Sequence, residues 1–488
     1  MLNRNLNRRD FLKHAGAGTA AMMMQKYLFG AGPNKPNVLF IAVDDMNDWV
    51  KPFGGHPDII SPNIERIASR GVAFQSAYCS APLCGPSRCS VLSGKIPANT
   101  GIYDNYPPLR HAFPEAVTIP QIFKESGYKV MGAGKIPHNL PDKYSWDEYF
   151  PSLKYMWSSN DVNPPSDPYQ GLGHIGNSSR HQWMDWGPLD CDDNQMRDGK
   201  TANWVVSKLQ ENHTEPFFLG CGIYLPHVPW FAPRKYFDMY DVNKIALPEY
   251  KEDDLDDIPQ EAQWFSQKEV HLEIMAQNKF PEAIRAYLAA CTFADAQVGK
   301  VLDALDNSPY KDNTIIVFWT DHGHHLAEKL HWSKNCLWEE ATRTPLIISA
   351  PGLGTTGVNC NKIVSLVDIY PTLIDLCGIS PPPYNLDGQS LKPLIINPHG
   401  SWSDVALTTM WYKNHSIRTP EWRYTKYQNG GEELYDHTND SMEWTNLANN
   451  PAYADIKNQL AQHLPAFDQP RHPPAIPEKP AGVIVRPM

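Results

Sequence analysis

The sequence predicts an α/β fold in which a mainly parallel sheet is sandwiched by helices and a smaller antiparallel-sheet subdomain follows at the C-terminus. Between residues 37 and about 400, apolar runs typical of buried strands alternate with helical patterns, as in a parallel sheet covered on both faces. After about residue 400 the pattern changes to short polar strands around turns, followed by one helix. A length of 488 residues exceeds what one compact core usually supports, which fits either one large domain plus a smaller one or a single elaborated α/β domain.

The elements of the main sheet are predicted from their apolar runs and boundary residues. The run NVLFIAVDD at 37–45 is a buried strand, and the next helix, at 61–71, has Ser61 as N-cap, Pro62 in its first turn and Gly71 at its end. Further strands are predicted at 128–135, 216–224, 313–323 and 344–352, with helices at 118–126, 201–210, 281–305 and 367–378. The stretches 151–200 and 228–280 carry no readable motif and are candidate specificity loops.

Residues 1–32 have the layout of a twin-arginine export signal. Arg8-Arg9-Asp10-Phe11-Leu12-Lys13 precedes a modestly apolar run, which is too short and interrupted to anchor the chain in a bilayer. A basic disordered leader is the alternative. We therefore expect an exported protein, periplasmic or secreted and without a membrane anchor, in which residues 33–400 form the main domain. Residues 401–488 would form the small subdomain, ending in a Pro-rich extended tail.

The charge balance excludes one large class of partner. With 43 Lys and Arg against 54 Asp and Glu, the net charge is −11, whereas nucleic-acid binding needs a basic excess. If the ligand is an anion, the positive charge that binds it must be local.

The stretch LCGPSRCSVLSG, residues 83–94, places a cysteine where a helix starts. Pro86 fits the first turn of a helix, so Cys84 is predicted at or just before the N-terminus, where free N–H groups favour an anion. Arg88 adds a positive charge one turn further in. A buried free cysteine before a helix is the alternative. None of the nine cysteines forms a CxxC pair, which argues against zinc clusters and redox dithiols, and disulfide pairing is not readable from the spacing.

Two polar pairs, Asp44-Asp45 and Asp321-His322, stand directly after predicted buried strands. The carboxyl ends of such strands meet at one edge of a sheet, although each pair alone could be a solvated turn. Three carboxylates and an imidazole form a mostly hard ligand set that suits calcium or magnesium. The sequence therefore predicts a divalent-cation site at this edge.

Four further residues lie in loops that follow predicted strands. Lys135 ends the strand at 128–135, His138 follows it, His227 stands in LPHVPW, and Lys334 lies shortly after the second metal pair. Each alone could be a surface lysine or an ordinary loop histidine. Together they supply cations for the oxygens of an oxyanion and an acid for a leaving group.

With these residues the chain resembles the type I sulfatases of the alkaline-phosphatase-like superfamily. The signature Cys-x-Pro-Ser-Arg occurs at Cys84 to Arg88, and the resemblance runs from NVLFIAVDD through TDHG to ELYDHTNDSMEWTNL. GKIPH, LPHVPW and a histidine at position 322, where many sulfatases have Asn, are most similar to the iduronate-2-sulfatase-like branch. Residues 33–400 would then be the catalytic domain.

The resemblance implies a modified cysteine and a metal. Cys84 would be oxidised to formylglycine by a maturase before export, and its hydrate would attack the sulfur of a sulfate ester. Asp44, Asp45, Asp321 and His322, with modified Cys84, would hold one Ca²⁺.

The resemblance also implies roles for the cations and imidazoles. Lys135 and Lys334 would neutralise sulfate oxygens, and Arg88 would steady the modified residue. His227 would protonate the leaving alcohol, and His138 would take a proton so that inorganic sulfate is released.

The implied substrate is a sulfated oligo- or polysaccharide, either a 2-O-sulfated uronic acid or a sulfated algal unit. A phosphomonoester or phosphonate hydrolase of the same superfamily, and a non-catalytic sulfated-glycan binder, are the alternatives. Trp230 and Trp332 could stack on a sugar or belong to the core, and His324, His325 and His331 could contact substrate or lie on the surface. Ala327 and Lys329 depart from the Gly and His frequent in the family, which would reshape the rim of the site.

Overall fold

The structure is a computed structural model that describes residues 35–138, 140–151, 184–354 and 356–473. The predicted export signal, most of the 151–200 stretch and the end of the Pro-rich tail lie outside these ranges. The strands are β1 Asn37–Val43, β2 Val72–Tyr78, β3 Lys129–Gly134, β4 Glu148–Phe150, β5 Trp186–Leu189, β6 Phe217–Ile223, β7 Trp230–Pro233, β8 Thr314–Thr320, β9 Leu346–Ser349, β10 Val358–Ser365, β11 Ala406–Thr409, β12 His415–Arg418, β13 Trp422–Lys426 and β14 Glu432–Asp436.

The helices connect these strands and cover the sheet, with short 3₁₀ turns between some of them. They are α1 Pro62–Ala68, α2 Cys84–Ser93, α3 Pro97–Thr100, α4 Leu109–Ala112, α5 Ile119–Glu125, α6 Arg197–Leu209, α7 Arg234–Phe237, α8 Gln260–Gln263, α9 Lys268–Ala276, α10 Phe280–Asp306, α11 Glu339–Thr342, α12 Ile369–Cys377, α13 Lys392–Ile396 and α14 Ala454–Ala461. The candidate loop 228–280 is therefore partly ordered into β7, α7, α8 and α9.

The main sheet has eight strands in the spatial order β10-β2-β9-β8-β1-β6-β3-β4. β9 is antiparallel to both of its neighbours, and the other adjacent pairs are parallel, which confirms the predicted mainly parallel sheet.

Strand β1 explains why the predicted strands are continuous apolar runs. Leu39, Ile41 and Val43 face a core that includes α10, whereas Val38, Phe40 and Ala42 face a second core that includes α5 and α12. Both faces of the sheet are covered, so alternation between apolar and polar residues is lost.

The order of the central strands determines where the polar loop residues meet. β8, β1, β6 and β3 are consecutive neighbours and mutually parallel, so their carboxyl ends share one edge. The predicted site residues that follow these four strands therefore converge there, as expected for ligand sites of parallel sheets.

The start of α1 corrects one detail of the sequence interpretation. Ser61 is at the N-cap position, but its hydroxyl accepts a hydrogen bond from the Lys51 N–H at 2.9 Å and caps no N–H of the helix. The first N–H groups, those of Asn63 and Ile64, donate instead to the carboxylate of Asp295 on α10, at 3.0 and 2.8 Å. A partner from another helix thus replaces the local cap, and the helix ends before Gly71.

A second sheet of four antiparallel strands, in the order β11-β12-β13-β14, follows the main sheet and confirms the predicted C-terminal sheet. Helix α14 packs against it through Leu460. The start of the Pro-rich tail lies along α3, where the N–H of Gln469 donates to the carbonyl of Ala98 at 2.8 Å.

Candidate active site

Cys84 is the first residue of α2, as the position of Pro86 predicts, and its side chain is buried. The N–H of the next residue, Gly85, donates to Asn105 Oδ1 at 2.7 Å. A Cβ at Gly85 would meet the Asn105 Cα at 2.7 Å, so the close approach of this loop requires glycine. The thiol is therefore held at the N-terminal end of a helix under a fixed loop.

Three buried carboxylates surround the thiol: Asp44 and Asp45 directly after β1, and Asp321 directly after β8. Asp45 has φ 59°, a left-handed conformation that costs a non-glycine residue energy and is common at functional sites. Two sets of potential ligand atoms each lie within 4.8 Å of one another: Asp44, Asp45, Cys84 and His227 in one set, and Asp44, Cys84, Asp321 and His322 in the other.

The ring of His322 is oriented by a backbone contact. Nδ1 lies 3.0 Å from the carbonyl of Gly323, and because a carbonyl only accepts, Nδ1 carries the hydrogen. Nε2 points at the site, 3.3 Å from Cys84 Sγ and 3.5 Å from Asp45 Oδ1. Fixing one ring nitrogen by a carbonyl is how metal-binding histidines are oriented.

Arg88 is buried and organises the carboxylates. Its Nε donates to Asp321 Oδ2 at 2.7 Å, and Nη2 lies 3.4 Å from Asp44 Oδ1. Nη1 donates to the carbonyls of Lys135 and Ile136. These contacts join the ends of β8, β1 and β3.

Each of the two lysines forms an ion pair with one of the two aspartates that follow β1. Lys135 Nζ contacts Asp44 and also lies 4.9 Å from the ring centre of Tyr224. Lys334 Nζ donates to both oxygens of Asp45, at 2.8 and 2.6 Å.

His227 and His138 contact different groups of the site. His227 Nδ1 lies 2.6 Å from the carbonyl of Val228, and its Nε2 lies 4.0 Å from Asp45 Oδ2. His138 hydrogen-bonds to the Cys84 thiol, and its buried Nδ1 has no hydrogen-bond partner. Burial holds the pKa of His138 below its ordinary value, which favours the neutral form that accepts a proton.

The pocket stabilises negative charge on residue 84. Burial raises the pKa of the Cys84 thiol, but Lys135, Lys334 and His322 outweigh it and set the pKa well below the ordinary value. Conversely, burial raises the pKa of Asp321 to about 8 despite the charge of Arg88. Three carboxylates this close together need cations, and a divalent ion is the partner that such a set accepts.

The residues fit a divalent cation. The donor set is mainly carboxylate oxygen with one imidazole, all buried, and Cys84 Sγ stands where an oxygen of a modified residue 84 would be. The nine residues predicted as metal ligands, lysine cations or imidazoles, Cys84 included, thus belong to one cluster together with Arg88.

The remaining aromatic and histidine candidates are buried in the protein. Trp230 and Trp332 are core residues, which agrees with the core placement and rules out the alternative that either stacks on a sugar. His324, His325 and His331 are also buried, and the suggested surface placement is wrong for all three.

The structure also shows the surroundings of Ala327 and Lys329, the two residues that depart from the family pattern. Ala327 has φ 114°, a left-handed conformation that explains why glycine is frequent there. Lys329 is buried and donates to Asp254 Oδ1 at 2.7 Å, so it belongs to an interior ion pair and not to the rim.

Sequence reasoning missed two tyrosines of the site. Tyr224 directly follows β6 and supports Lys135, and its place at the end of an apolar strand was a usable signal. Tyr287 on α10 donates to the carbonyl of Asp45 at 2.9 Å and accepts from the N–H of Asn47 at 2.9 Å. Nothing in the sequence near Tyr287 indicates this role.

The chain matches known families in three places. Residues 36–379 match the sulfatase family, residues 327–469 match the C-terminal region of N-sulphoglucosamine sulphohydrolase, and residues 5–24 match the signal sequence of the twin-arginine translocation pathway. The signal sequence means that the protein is exported. Among the described helices, none combines the length and the hydrophobicity that a membrane span needs.

Similar proteins agree with the family match. A sulfatase from Formosa agariphila is 37% identical over 454 residues, which cover 88% of this chain and 87% of that protein. Iduronate 2-sulfatase from Homo sapiens is 30% identical over 394 residues, which cover 71% of this chain and 70% of that protein. The solved phosphonate monoester hydrolase of Agrobacterium radiobacter shares the fold, with a TM-score of 0.73 at 20% identity, covering 88% of this chain and 94% of that one. The chain therefore belongs to the sulfatase family of hydrolases, which have the alkaline-phosphatase-like fold.

Proposed function

We propose that the protein removes an O-sulfate group from a sulfated carbohydrate, with a formylglycine made from Cys84 and one Ca²⁺. One observation carries this proposal: the Cys84 side chain lies at a helix N-terminus inside a buried cluster of three carboxylates, His322, Arg88 and two lysines. This cluster combines a place for a nucleophile with a place for a metal and cations for an oxyanion.

Cys84 is the residue that carries the nucleophile. Formylglycine supplies a hydrated aldehyde whose hydroxyl can attack sulfur and later release the sulfate without separate ester hydrolysis. A formylglycine-generating maturase would modify the chain before folding and twin-arginine export. Lys135, Lys334 and His322 hold the pKa of the thiol well below its ordinary value, which supports the stabilisation of an anionic atom at this position.

Asp44, Asp45, Asp321 and His322 are the residues that would hold the Ca²⁺. A calcium ion would supply Lewis-acid polarisation and a fixed position for one sulfate oxygen. Arg88 keeps Asp321 and Asp44 in place through its Nε and Nη2 contacts, so we assign it as a positioning residue. This differs from a direct contact with residue 84, since its hydrogen bonds go to carboxylates and carbonyls.

Lys135 and Lys334 neutralise the sulfate oxygens that do not face the metal. Both ammonium groups lie at the edge of the carboxylate cluster and are paired with Asp44 and Asp45. A divalent cation on the same two carboxylates would weaken these pairs through charge repulsion, which leaves the ammonium groups for the substrate.

His227 donates a proton to the leaving alcohol, and His138 accepts one from the modified residue. Because Nδ1 of His227 faces the carbonyl of Val228, its Nε2 is the atom directed at the site. His138 is hydrogen-bonded to residue 84 and neutral by burial, which suits a base.

Two observations support a sulfated carbohydrate as the substrate class: the export signal of the chain and its similarity to known sulfatases. Iduronate 2-sulfatase is similar to this chain over 71% of its length, which supports a 2-O-sulfated uronic acid, and a sulfated algal polysaccharide unit is the second form of the same class. The metal and cations suit a phosphate or phosphonate ester as well, so the experiment includes these esters.

The experiment measures product release from a panel with matched variants. Mature protein, coproduced with a maturase and loaded with Ca²⁺, is assayed on defined sulfated oligosaccharides, aryl sulfate, aryl phosphate and a phosphonate monoester. We expect sulfate release from a sulfated sugar, abolished in Cys84→Ala and retained in Cys89→Ala, since Cys89 lies on the same helix outside the cluster. Faster turnover of phosphate or phosphonate esters than of every sulfate ester would contradict the proposal, as would sugar binding without turnover.

A further inference from the structure

Two exposed tryptophans, Trp264 and Trp411, lie on segments that are hydrogen-bonded to segments of the candidate active site and have no role in the proposed chemistry. We call these two residues, with the mostly buried ring of Phe265, the aromatic platform. Trp264 follows α8 and is 65% exposed, and Trp411, between β11 and β12, is 48% exposed. The rings of Phe265 and Trp411 are 5.1 Å apart, so the segments that carry Trp264 and Trp411 are in contact.

The turn that carries Trp411 is fixed next to the N-terminus of α2. The N–H of Thr409 donates to the carbonyl of Ser80 at 2.9 Å, four residues before Cys84. The ring of Tyr412 packs edge-on against Tyr103 at 5.6 Å, in the same loop as Asn105, which holds Gly85. The turn that carries Trp411 therefore contacts two segments of the chain that flank residue 84.

The segment that carries Trp264 is fixed to the loop that leads to Lys334. The N–H of Gln267 donates to His331 Nδ1 at 3.0 Å, and His331 Nε2 lies 2.6 Å from the carbonyl of Lys334. Since Lys334 is one of the two lysines of the site, the platform is connected to the site through both of its segments.

Trp411 is held in an unfavourable backbone conformation on the surface. Its φ of 56° is rare for a bulky residue, and hydrogen bonds of Asn414 to the carbonyls of Met410 and Tyr412 hold the turn. Surface strain of this kind clusters at ligand clamps, and exposed apolar patches mark binding sites.

We propose that the aromatic platform binds the sugar residue next to the sulfated one, so that the enzyme recognises an oligosaccharide. The proposal rests on the proposed function and adds the size of the substrate. The flat, apolar face of a pyranose stacks on Trp, whose ring also suits a wet surface. Exposed Lys413, in the same turn as Trp411, supplies the positive charge that a sulfated chain requires.

The test compares short and long probes by binding. Dissociation constants are measured by calorimetry for heparin-derived and ulvan-derived disaccharides and hexasaccharides, with the calcium-loaded parent protein and with Trp411→Ala, Trp264→Ala and Tyr144→Ala. Tyr144 is a matched exposed aromatic residue, in contact with Arg110 and Lys143. For at least one glycan, the parent should bind the hexasaccharide about tenfold more tightly than the disaccharide.

We expect the tryptophan variants to lose this preference for length and Tyr144→Ala to keep it, with unchanged thermal unfolding midpoints as the check on folding. Equal affinity of the parent for both lengths of both glycans overturns the proposal. So does a preference that survives in both tryptophan variants. A parallel assay of sulfate release separates this outcome from failure of the proposed function, because the binding comparison does not need turnover.

Discussion

His322 differs from the other predicted metal ligands in being an imidazole among carboxylates. Its Nδ1 faces the carbonyl of Gly323, so Nε2 is directed at Cys84 and Asp45 before any metal arrives. A ligand that is already oriented loses little conformational entropy when it binds.

His322→Ala should therefore lower calcium affinity by about 100-fold, whereas His322→Asn should keep more of it because an amide oxygen can still coordinate. Calorimetric titration of the metal-free protein with Ca²⁺ measures both values. Equal affinity of His322→Ala and the parent protein would remove His322 from the metal site.

His331 is neutral in the folded protein for a geometric reason. Its Nδ1 accepts the N–H of Gln267, and its Nε2 donates to the carbonyl of Lys334, so neither nitrogen has room for a second proton. Burial lowers the pKa of His331 from 6.5 to about 4.

Between these two pKa values the unfolded chain holds a proton that the folded chain lacks, so the free energy of unfolding should fall as the pH falls from 6.5 to 4. His331→Gln should reduce this slope by up to about 1.4 kcal/mol per pH unit. Denaturant unfolding at several pH values measures the slopes of the two proteins. Identical slopes would show that His331 does not contribute.

At the level of elements, α1 and α10 show how a distant residue replaces a local cap. The carboxylate of Asp295, on α10, accepts hydrogen bonds from the first N–H groups of α1. The hydroxyl of Ser61 accepts a hydrogen bond from the Lys51 N–H instead. The position of the helix was predictable from Pro62 and the apolar spacing. The capping partner was not, because it lies more than two hundred residues away in the chain.

Asp295→Ala should lower the free energy of unfolding by about 2–3 kcal/mol, since it leaves buried N–H groups without acceptors. Asp295→Asn should cost less because the amide oxygen still accepts. Chemical denaturation gives both values, and activity per folded molecule should stay near that of the parent. If Asp295→Ala lost less unfolding free energy than Ser61→Ala, the assignment of Asp295 as the cap of α1 would be contradicted.

At the level of the whole molecule, a buried ionic network joins the two sheets. Arg423 on β13 contacts Glu339 on α11 and Glu443, and donates to the carbonyl of Leu337 at 3.1 Å. The group Glu339, His437 and Glu443 has metal-ligand spacing, but its carboxylates are satisfied by arginine and histidine. The network thereby fixes the chain between Lys334 and α11.

Arg423→Leu should destabilise the protein by about 3–5 kcal/mol, because two buried carboxylates each lose one of their charged partners. Unfolding midpoints in denaturant measure this change. A control is Lys457→Leu, which breaks a half-exposed pair with Glu432 in the same sheet and should cost far less. Equal losses in the two variants would show that the network adds no stability.

The residues of the site were easier to predict from the sequence than the direction of the strands around them. Asp44, Asp321 and Lys135 were recognisable because each follows an apolar strand, and neighbouring parallel strands end at one edge. The reversed direction of β9 was not recognisable, because a buried strand has the same apolar run in either direction.

Contacts between segments that are distant in the chain could not be predicted from the sequence either. For Trp230 and Trp332 the sequence left sugar stacking and core packing open, and both residues are buried. Trp411, in a polar stretch without a motif, is exposed instead. Burial of a single aromatic residue depends on tertiary packing, which a local pattern does not encode.

The most direct test is the mass of the peptide that contains residue 84, from protein coproduced with a maturase. Conversion of the Cys84 thiol to formylglycine lowers this mass by about 18 Da, and we predict the lower mass in the fraction that hydrolyses sulfate esters. Full sulfatase activity in protein whose residue 84 keeps the mass of an unmodified cysteine would contradict the account.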